Sequence, residues 1–273
     1  MPHIKLSAGL THYELAGPPD GPLVVLVHGI SIPMWAWDGV VPPLVQAGFR
    51  VLRYDAFGRG ESDYPHCAYD RHLLVNQLTE LLDQLGVNAP FNLVGFSFGG
   101  AVATSFTALH EDKVRRLALV APFARMALPD KRVWLRHWPL GELVMHFKVL
   151  PDLKTRAARL LETAGDAGIT ARKFAQQLDK PGFAQAFLSL MRTDAMDDYG
   201  AAYEAVAKSG IPTALTWGTH DTDIPRDAVH YTRSKLQPQV YREVEGADHG
   251  SILQPAHQLS KLLTSFFSDA PDV

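Results

Sequence analysis

The amino-acid sequence predicts an α/β fold, a mostly parallel twisted sheet flanked by helices, with a helical segment inserted between two of its strands. Apolar runs of strand length alternate with longer stretches of helical spacing, which is the pattern of parallel sheets. The first run, residues 23–27, is apolar at every position. A strand of that composition is covered on both faces, so we expect helices on each side of the sheet.

The predicted strands fall into two groups along the chain. The first group contains residues 23–27, 50–54, 91–94 and 116–120, and the second contains residues 213–217 and 240–244. Leucines recur at helical spacing from Leu73 to Leu85, and Gly86 follows as a stop signal. A last helix is expected from about Ala256 to Phe267.

The long interval between the two groups contains no predicted strand. It is rich in leucine, alanine, arginine and aromatic residues, and it is interrupted by Pro129, Pro139, Pro151 and Pro181. Proline ends or kinks a helix, so this composition predicts several short helices rather than one long one.

The composition of the 273-residue chain excludes several classes of protein. A net charge of −3 and an isoelectric point near 6.4 give no electrostatic basis for binding nucleic acid. The single cysteine, Cys67, cannot form an internal disulfide, which fits a reducing compartment. The N-terminus carries no apolar signal region, and no apolar stretch reaches the roughly 20 residues that span a bilayer. We therefore expect a cytoplasmic protein without a transmembrane segment.

The most informative local pattern is Gly95-Phe96-Ser97-Phe98-Gly99, between the predicted strand 91–94 and a predicted helix from 99 to 108. A strand that turns directly into a helix across G-x-S-x-G holds its central serine in a strained, exposed position. The two glycines are needed because side chains there would collide with neighbouring backbone. Ser97 is therefore a candidate nucleophile at the positive end of a helix.

A serine nucleophile needs a base within hydrogen-bond reach, and the base needs an orienting partner. Asp221 follows the predicted strand 213–217, and His249 follows the strand 240–244. Functional groups gather at the carboxyl ends of parallel strands, so we expect these side chains to lie beside Ser97. The chain order serine, aspartate, histidine is the order that a strand-turn-helix nucleophile uses.

Other residues near these positions allow alternative assignments. Asp223 could face the histidine instead, although the Gly-x-x-Asp spacing favours Asp221. Asp248 adjoins the histidine in sequence, and we interpret it as structural because adjacent loop side chains usually diverge. We expect His28 to brace its loop through hydrogen bonds rather than to perform chemistry. Arg59 is the residue of the segment 55–63 from which we expect buried polar contacts.

No cofactor or metal ion is expected. The sequence contains no C-x-x-C, H-E-x-x-H or comparable ligand spacing. It also contains no G-x-G-x-x-G or P-loop pattern for a nucleotide.

The chain resembles the α/β-hydrolases over nearly its full length. The stretches that carry the resemblance are residues 27–30, 55–63, 95–99, 217–221 and 246–249. The resemblance implies Ser97 as nucleophile, Asp221 as acid and His249 as base. It also implies an oxyanion hole formed by the backbone N–H groups of Ile30 and Phe98.

The resemblance further implies a domain organisation and a reaction. Residues 1–121 and 211–273 would form the core domain, and residues 122–210 a helical cap inserted over the site. The implied function is a serine esterase or lipase that cleaves short- to medium-chain acyl esters or monoacylglycerol-like lipids. Its partner would be a small-molecule acyl ester. Relatives that open epoxides or cleave carbon–halogen bonds use aspartate at the nucleophile position, so Ser97 argues against both reactions.

Three alternatives stay open at this point: a perhydrolase-like esterase, a binding or receptor protein with little turnover, and an esterase acting on a methyl ester of a carrier-bound acyl chain. The last would use basic cap residues, for which the candidates are Arg156, Arg159, Arg172 and Lys173. Apolar cap residues could line an acyl channel or give weak contact with a lipid surface, and these are Trp134, Trp138, Leu140, Leu143, Val144, Met145 and Phe147. The sequence leaves the oligomeric state open.

Overall fold

The computed structural model describes residues 2–126, 133–155, 168–254 and 259–268. Their strands form one eight-stranded sheet with the order β1-β2-β4-β3-β5-β6-β7-β8. The strands are β1 His3–Lys5, β2 Leu10–Ala16, β3 Leu23–Val27, β4 Arg50–Tyr54, β5 Phe91–Phe96, β6 Val114–Val120, β7 Thr213–Gly218 and β8 Val240–Val244. All pairings among β3 to β8 are parallel, whereas β2 pairs with β1 and β4 antiparallel. The predicted fold class is confirmed.

The six predicted strands are all present, and two further strands precede them. β3, β4 and β8 have the predicted bounds, and β5, β6 and β7 are one or two residues longer. β1 and β2 were not predicted, because neither contains a continuous apolar run. β1 has only three residues, and β2 mixes polar and apolar residues in Leu10–Ala16.

Helices cover both faces of the sheet. Consecutive residues of β3 therefore lie buried on either face, and these are Val24, Val25, Leu26 and Val27. The described helices are α1 Val41–Gln46, α2 Arg71–Gln84, α3 Phe98–Leu109, α4 Leu140–Val144, α5 Gly168–Leu178, α6 Phe183–Arg192, α7 Gly200–Ser209, α8 Arg226–Leu236 and α9 Leu259–Phe267. Helices α2, α3, α7 and α8 pack side by side, and α1 packs against α9. The predicted start of α9 lies in residues 255–258, outside the described part of the chain.

The interval between β6 and β7 contains helices and no strand in its described part, residues 121–126, 133–155 and 168–212. Besides α4 to α7, it has 3-10 turns at Val133–Arg136 and Asp194–Met196 and a π-helical turn at Met145–Val149. Helix α7 packs on α3 and α8. Residues 127–132 and 156–167, which include Arg156 and Arg159, lie outside the described residues, as does the side chain of Trp134.

Arg71 and Gln177 are among the side chains that attach this interval to the rest of the molecule. Arg71 at the start of α2 donates hydrogen bonds to the carbonyl oxygens of Asp194 and Asp198, and its guanidinium lies 3.8 Å from the centre of the Tyr199 ring. Gln177 of α5 is buried and accepts a 2.9 Å hydrogen bond from the Gly60 N–H. The Arg71 contacts hold the segment before α7 against the start of α2, and the Gln177 contact holds α5 against the turn at residues 58–60. No helix in the described ranges is long and apolar enough to cross a membrane.

Candidate active site

Ser97 occupies the tight turn between β5 and α3. Its backbone angles, φ 53° and ψ −124°, lie in a region that residues other than glycine rarely adopt. Backbone hydrogen bonds hold this conformation: the Ser97 N–H donates to the Val120 carbonyl at 3.0 Å, and its carbonyl accepts from Gly100 at 2.9 Å and Phe123 at 2.8 Å. Strained residues of this kind persist only where the surrounding structure fixes them, and they cluster at functional sites.

The glycines on either side of Ser97 are required by close backbone contacts. A Cβ atom on Gly95 would lie 2.6 Å from the Cα atom of Gly100, and one on Gly99 would lie 2.3 Å from the carbonyl oxygens of Val27 and His28. These distances are far shorter than real Cβ contacts. The predicted reason for the two glycines is confirmed.

The structure brings Ser97, His249 and Asp221 together in one hydrogen-bonded chain. The Nε2 atom of His249 lies 3.0 Å from the Ser97 Oγ, and its Nδ1 lies 2.7 Å from the Asp221 Oδ2. The Asp221 side chain has no exposed surface, and its Oδ1 accepts hydrogen bonds from the Asp223 and Ile224 N–H groups at 2.9 and 2.8 Å. The carboxylate is thus fixed on one side by backbone and presents its other oxygen to the imidazole.

The loops after β7 and β8, which carry Asp221 and His249, are joined to each other by backbone hydrogen bonds. The Thr219 N–H donates to the Val244 carbonyl at 3.1 Å, and the His220 N–H donates to the Ala247 carbonyl at 2.9 Å. Because these bonds join the two loops, they fix the separation between Asp221 and His249.

The orientation and protonation of the His249 ring follow from its neighbours. An ionised carboxylate only accepts hydrogen bonds, so the Nδ1 facing Asp221 carries the proton and Nε2 is left to accept from the Ser97 hydroxyl. The ring also packs on Phe96, with 4.8 Å between ring centres and 32° between ring planes. Asp248 lies exposed, with its Oδ1 accepting from the N–H groups of Gly250 and Ser251. The aspartate that binds Nδ1 is therefore Asp221, as the Gly-x-x-Asp spacing indicates.

The Ile30 and Phe98 N–H groups are available as hydrogen-bond donors. Phe98 is the first residue of α3, and the first N–H groups of a helix have no partner within it. In the described part of the chain, neither N–H donates a hydrogen bond to another residue. Both residues line the same small cavity, beside the Ser97 turn.

His28 fixes the peptide unit that contains the Ile30 N–H. Its Nε2 accepts a 2.9 Å hydrogen bond from the Ala56 N–H, so its Nδ1 carries the proton and donates to the Gly29 carbonyl at 2.7 Å. The Gly29 carbonyl and the Ile30 N–H belong to one planar peptide unit. The hydrogen bond to the carbonyl therefore also fixes the direction of the Ile30 N–H. Burial lowers the pKa of His28, and the nearby Asp55 carboxylate only partly offsets this, which keeps the ring neutral. The expected bracing role of His28 agrees with these contacts.

Asp55 anchors the segment 55–63. Its carboxylate is buried and accepts hydrogen bonds from His12 Nδ1 at 2.6 Å, from the Glu61 N–H at 2.9 Å and from the Met34 N–H at 2.8 Å. Burial alone would raise the pKa of Asp55, but these hydrogen bonds, that of His12 foremost, hold the pKa below its usual value. Asp55 is therefore a buried anion whose hydrogen bonds hold the segment 55–63 in place.

Arg59 makes the buried polar contacts expected of it, but only some of its donors are used. Its Nε donates to the Ile30 carbonyl, and its Nη1 donates to the Gly58 carbonyl at 2.6 Å. Its Nη2 is buried and has no hydrogen-bond partner in the described part of the chain. The guanidinium lies 5.0 Å from the centre of the Phe183 ring of α6, and burial lowers the pKa of Arg59 to about 10.

Sequence reasoning did not find the residues of the interval that reach this region, Gln177 and Phe183. Both lie more than 100 positions after Gly60 and Arg59, and only their burial in otherwise polar or broken helical segments marks them. The apolar residues that the sequence offers for an acyl channel or a lipid contact differ in their burial. Met145 is buried, whereas Trp138, Leu143 and Phe147 are exposed.

The comparison with known families identifies the class of protein. A model of the alpha/beta hydrolase fold family matches residues 22–256. The chain therefore belongs to the α/β-hydrolase fold family.

Individual relatives within this family have different activities. An uncharacterised protein of Mycobacterium tuberculosis is 27% identical over 252 residues, which cover 87% of this chain and 72% of that protein. Epoxide hydrolase A of the same species is 31% identical over 178 residues, 64% of this chain and 54% of that enzyme. The crystal structure of an enol-lactonase from Burkholderia xenovorans LB400 superposes with a TM-score of 0.80 at 22% identity, covering 98% of this chain and 100% of that one. The last similarity shows a shared fold.

Proposed function

We propose that this protein is a serine hydrolase that cleaves carboxylic esters through an acyl-enzyme. The observation that carries the proposal is the hydrogen-bonded chain from Asp221 through His249 to the Ser97 Oγ, with distances of 2.7 and 3.0 Å. Such a chain removes a proton from the serine hydroxyl and returns it to a leaving group.

In the first half of the reaction, Ser97 Oγ attacks the carbonyl carbon of the ester while His249 Nε2 takes its proton. The resulting imidazolium is stabilised by Asp221, which two backbone N–H groups hold in place. The negative charge that develops on the carbonyl oxygen is bound by the Ile30 and Phe98 N–H groups. A donor in such a position typically contributes about 10²–10³ in rate.

Breakdown of the tetrahedral intermediate completes the first half of the reaction, and the second half repeats the same steps with water. The tetrahedral intermediate collapses, the alcohol leaves with the proton from His249, and the acyl group stays on Ser97. Water then loses a proton to His249 and attacks the acyl carbon, and collapse returns that proton to Ser97 and releases the acid.

The chemistry of serine favours an ester over an epoxide as substrate, although an epoxide hydrolase is among the relatives. Attack of a serine hydroxyl on an epoxide would give an ether. An ether has no carbonyl group for water to attack, so the enzyme would not be regenerated. An ester or a lactone gives an acyl-serine, which the same histidine can hydrolyse.

We further propose that residues 122–210 form a cap over this site, on a core of residues 1–121 and 211–273. The contacts of Gln177 with Gly60, and of Phe183 with Arg59, support the proposal because they bring α5 and α6 against the segment beside the Ile30 loop. A cap in this position would select the acyl group, for which we propose short to medium length.

The proposal is tested by kinetics on p-nitrophenyl esters of increasing acyl length. We expect turnover by the wild type and a loss of kcat of about 10⁶-fold in Ser97→Ala. Ser234→Ala is the matched control, because Ser234 is an exposed serine of α8. Circular dichroism checks that both variants fold. Ester hydrolysis that survives undiminished in folded Ser97→Ala would contradict the proposal.

A further inference from the structure

We propose that Arg59 forms a subsite for a carboxylate group of the substrate, so that the preferred ester or lactone carries a free carboxylate near its reacting carbonyl. The inference rests on the proposed ester hydrolysis and adds a substrate class to it. It comes from a buried guanidinium group whose charge and hydrogen bonds are incompletely matched by the residues that the structure describes.

The hydrogen bonding of Arg59 leaves one end of the guanidinium unused. The group has five N–H donors in a planar fork. Nε binds the Ile30 carbonyl and Nη1 the Gly58 carbonyl, while Nη2 has no partner in the described residues. Arg59 is 2% exposed, so water outside the molecule does not solvate these donors freely. Buried polar groups are normally paired, and an exception of this kind points to a ligand or an ordered water.

The charge of Arg59 is also without a carboxylate partner among the described residues. Tyr64 and Tyr69 lie close to Arg59, but a tyrosine hydroxyl is uncharged at neutral pH and does not balance the guanidinium charge. Asp55, a buried acid four positions before Arg59, is occupied by His12 and two backbone N–H groups. Even with its pKa lowered by burial to about 10, Arg59 is protonated at neutral pH. A buried charge is normally paired, so a bound anion would complete this site.

The position of Arg59 ties the subsite to the proposed reaction centre. Arg59, Ile30 and Phe98 line one cavity, whose other walls include the apolar side chains of Leu74 and Leu190. The cavity has space of about 20 Å³ for a water-sized group, which is enough for one carboxylate oxygen or one water. Since Arg59 is bonded to the Ile30 carbonyl, a substrate carbonyl on the Ile30 N–H lies close to the guanidinium.

The guanidinium is held in place before any ligand binds. The Gly60 N–H donates to Gln177 Oε1 at 2.9 Å, and Lys180 Nζ donates to the Gly60 carbonyl at 2.7 Å. The Phe183 ring covers the guanidinium at 5.0 Å. These contacts reduce the ordering that binding would require, and a guanidinium fork matches the geometry of a carboxylate.

The test compares monoethyl esters of malonic, succinic, glutaric and adipic acids with neutral ethyl esters of the same acyl length. We expect the wild type to prefer at least one monoacid ester, with kcat/KM about 10- to 100-fold above that of its neutral match. Arg59→Met, which keeps the unbranched stem, should lose that ratio, and Arg59→Lys should retain part of it. Arg233→Met is the control, since Arg233 is an exposed arginine of α8 stacked on Tyr241.

A binding measurement on the wild type keeps the test independent of turnover and of variant folding. The dicarboxylates succinate and glutarate should bind in isothermal titration calorimetry about 10-fold or more tightly than butyrate and valerate. Equal binding of mono- and dicarboxylates, or equal kcat/KM for acidic and neutral esters, would overturn the inference and leave a bound water as the partner of Arg59. If neutral esters are still cleaved and need Ser97, the proposed ester hydrolysis stands. If dicarboxylates bind but no ester is cleaved, the subsite stands and the hydrolysis fails.

Discussion

The Nδ1–H of His28 donates a 2.7 Å hydrogen bond to the carbonyl oxygen of Gly29, in the peptide unit that carries the Ile30 N–H. Ala56 binds the opposite nitrogen of the same ring, so the imidazole joins the loop after β3 to the loop after β4. The aim of one proposed oxyanion donor therefore depends on a residue that does not touch the substrate.

The first prediction concerns this positioning role. His28→Leu leaves Ser97, His249 and Asp221 in place but frees the Gly29–Ile30 peptide. We expect kcat on p-nitrophenyl esters to fall about 10- to 100-fold, less than the loss of a whole donor, with a small change in KM. His230→Leu, at an exposed histidine of α8, should have wild-type kinetics. Equal kcat for His28→Leu and the wild type would show that Ile30 needs no bracing.

The second prediction concerns the partner of His249. Asp221→Asn preserves the shape of the side chain but allows the wrong imidazole tautomer, so kcat should fall about 10³- to 10⁴-fold. Asp223→Asn, two positions away and exposed, should reduce kcat by less than about 10-fold. Steady-state kinetics of the two variants decides between the two aspartates. A larger loss in Asp223→Asn would reassign the acid.

The third prediction concerns the turn around Ser97. In Gly99→Ala the new methyl group would lie 2.3 Å from the Val27 and His28 carbonyl oxygens, so the free energy of unfolding should fall by about 3 kcal/mol or more. Gly48→Ala is the matched control, because Gly48 has φ +89° and no atom within 4 Å of its Cβ position. Gly48→Ala should lower the free energy of unfolding by about 1–2 kcal/mol, from backbone strain alone. Urea denaturation measures both values, and equal losses would remove the argument from backbone contact.

The fourth prediction concerns the stability of the fold at acid pH. The pKa values of His28 and Asp55 are both lowered in the folded state, so the unfolded state binds more protons as the pH falls. The His28 contribution is complete above its usual pKa of 6.5 and is lost below it, and the Asp55 contribution is lost below about 3.8. The free energy of unfolding should therefore decline as the pH falls from 7 to 5, and the decline should be smaller in His28→Gln. Urea denaturation at each pH measures this free energy. An equal decline with falling pH in the wild type and in His28→Gln would contradict the contribution assigned to His28.

The parts of the fold that could be predicted are those with a local signal. The strand Leu23–Val27 is apolar throughout, and the turn Gly95–Gly99 needs its glycines because of contacts close by. Ser97, Asp221 and His249 could be brought together because each follows a strand of one parallel sheet. Strands β1 and β2 lack a continuous apolar run, so local sequence does not predict them.

The surroundings of Arg59 could not be predicted, because they are made by contacts between distant segments. Gln177 and Phe183 reach the turn at residues 58–60 from helices of the interval between β6 and β7. Their arrangement depends on how short helices pack, which periodicity and turn residues do not determine. The sequence predicts buried polar contacts for Arg59, but only the three-dimensional structure shows that its Nη2 has no hydrogen-bond partner among the described residues.

Covalent labelling shows whether Ser97 is a nucleophile that His249 activates. The folded protein is incubated with a fluorophosphonate and the modified peptide is located by mass spectrometry. We predict one equivalent of label on Ser97 in the wild type and in Ser234→Ala, and much slower labelling in His249→Ala. An unlabelled Ser97 in folded protein, or labelling that does not depend on His249, would contradict the proposed nucleophilic role of Ser97.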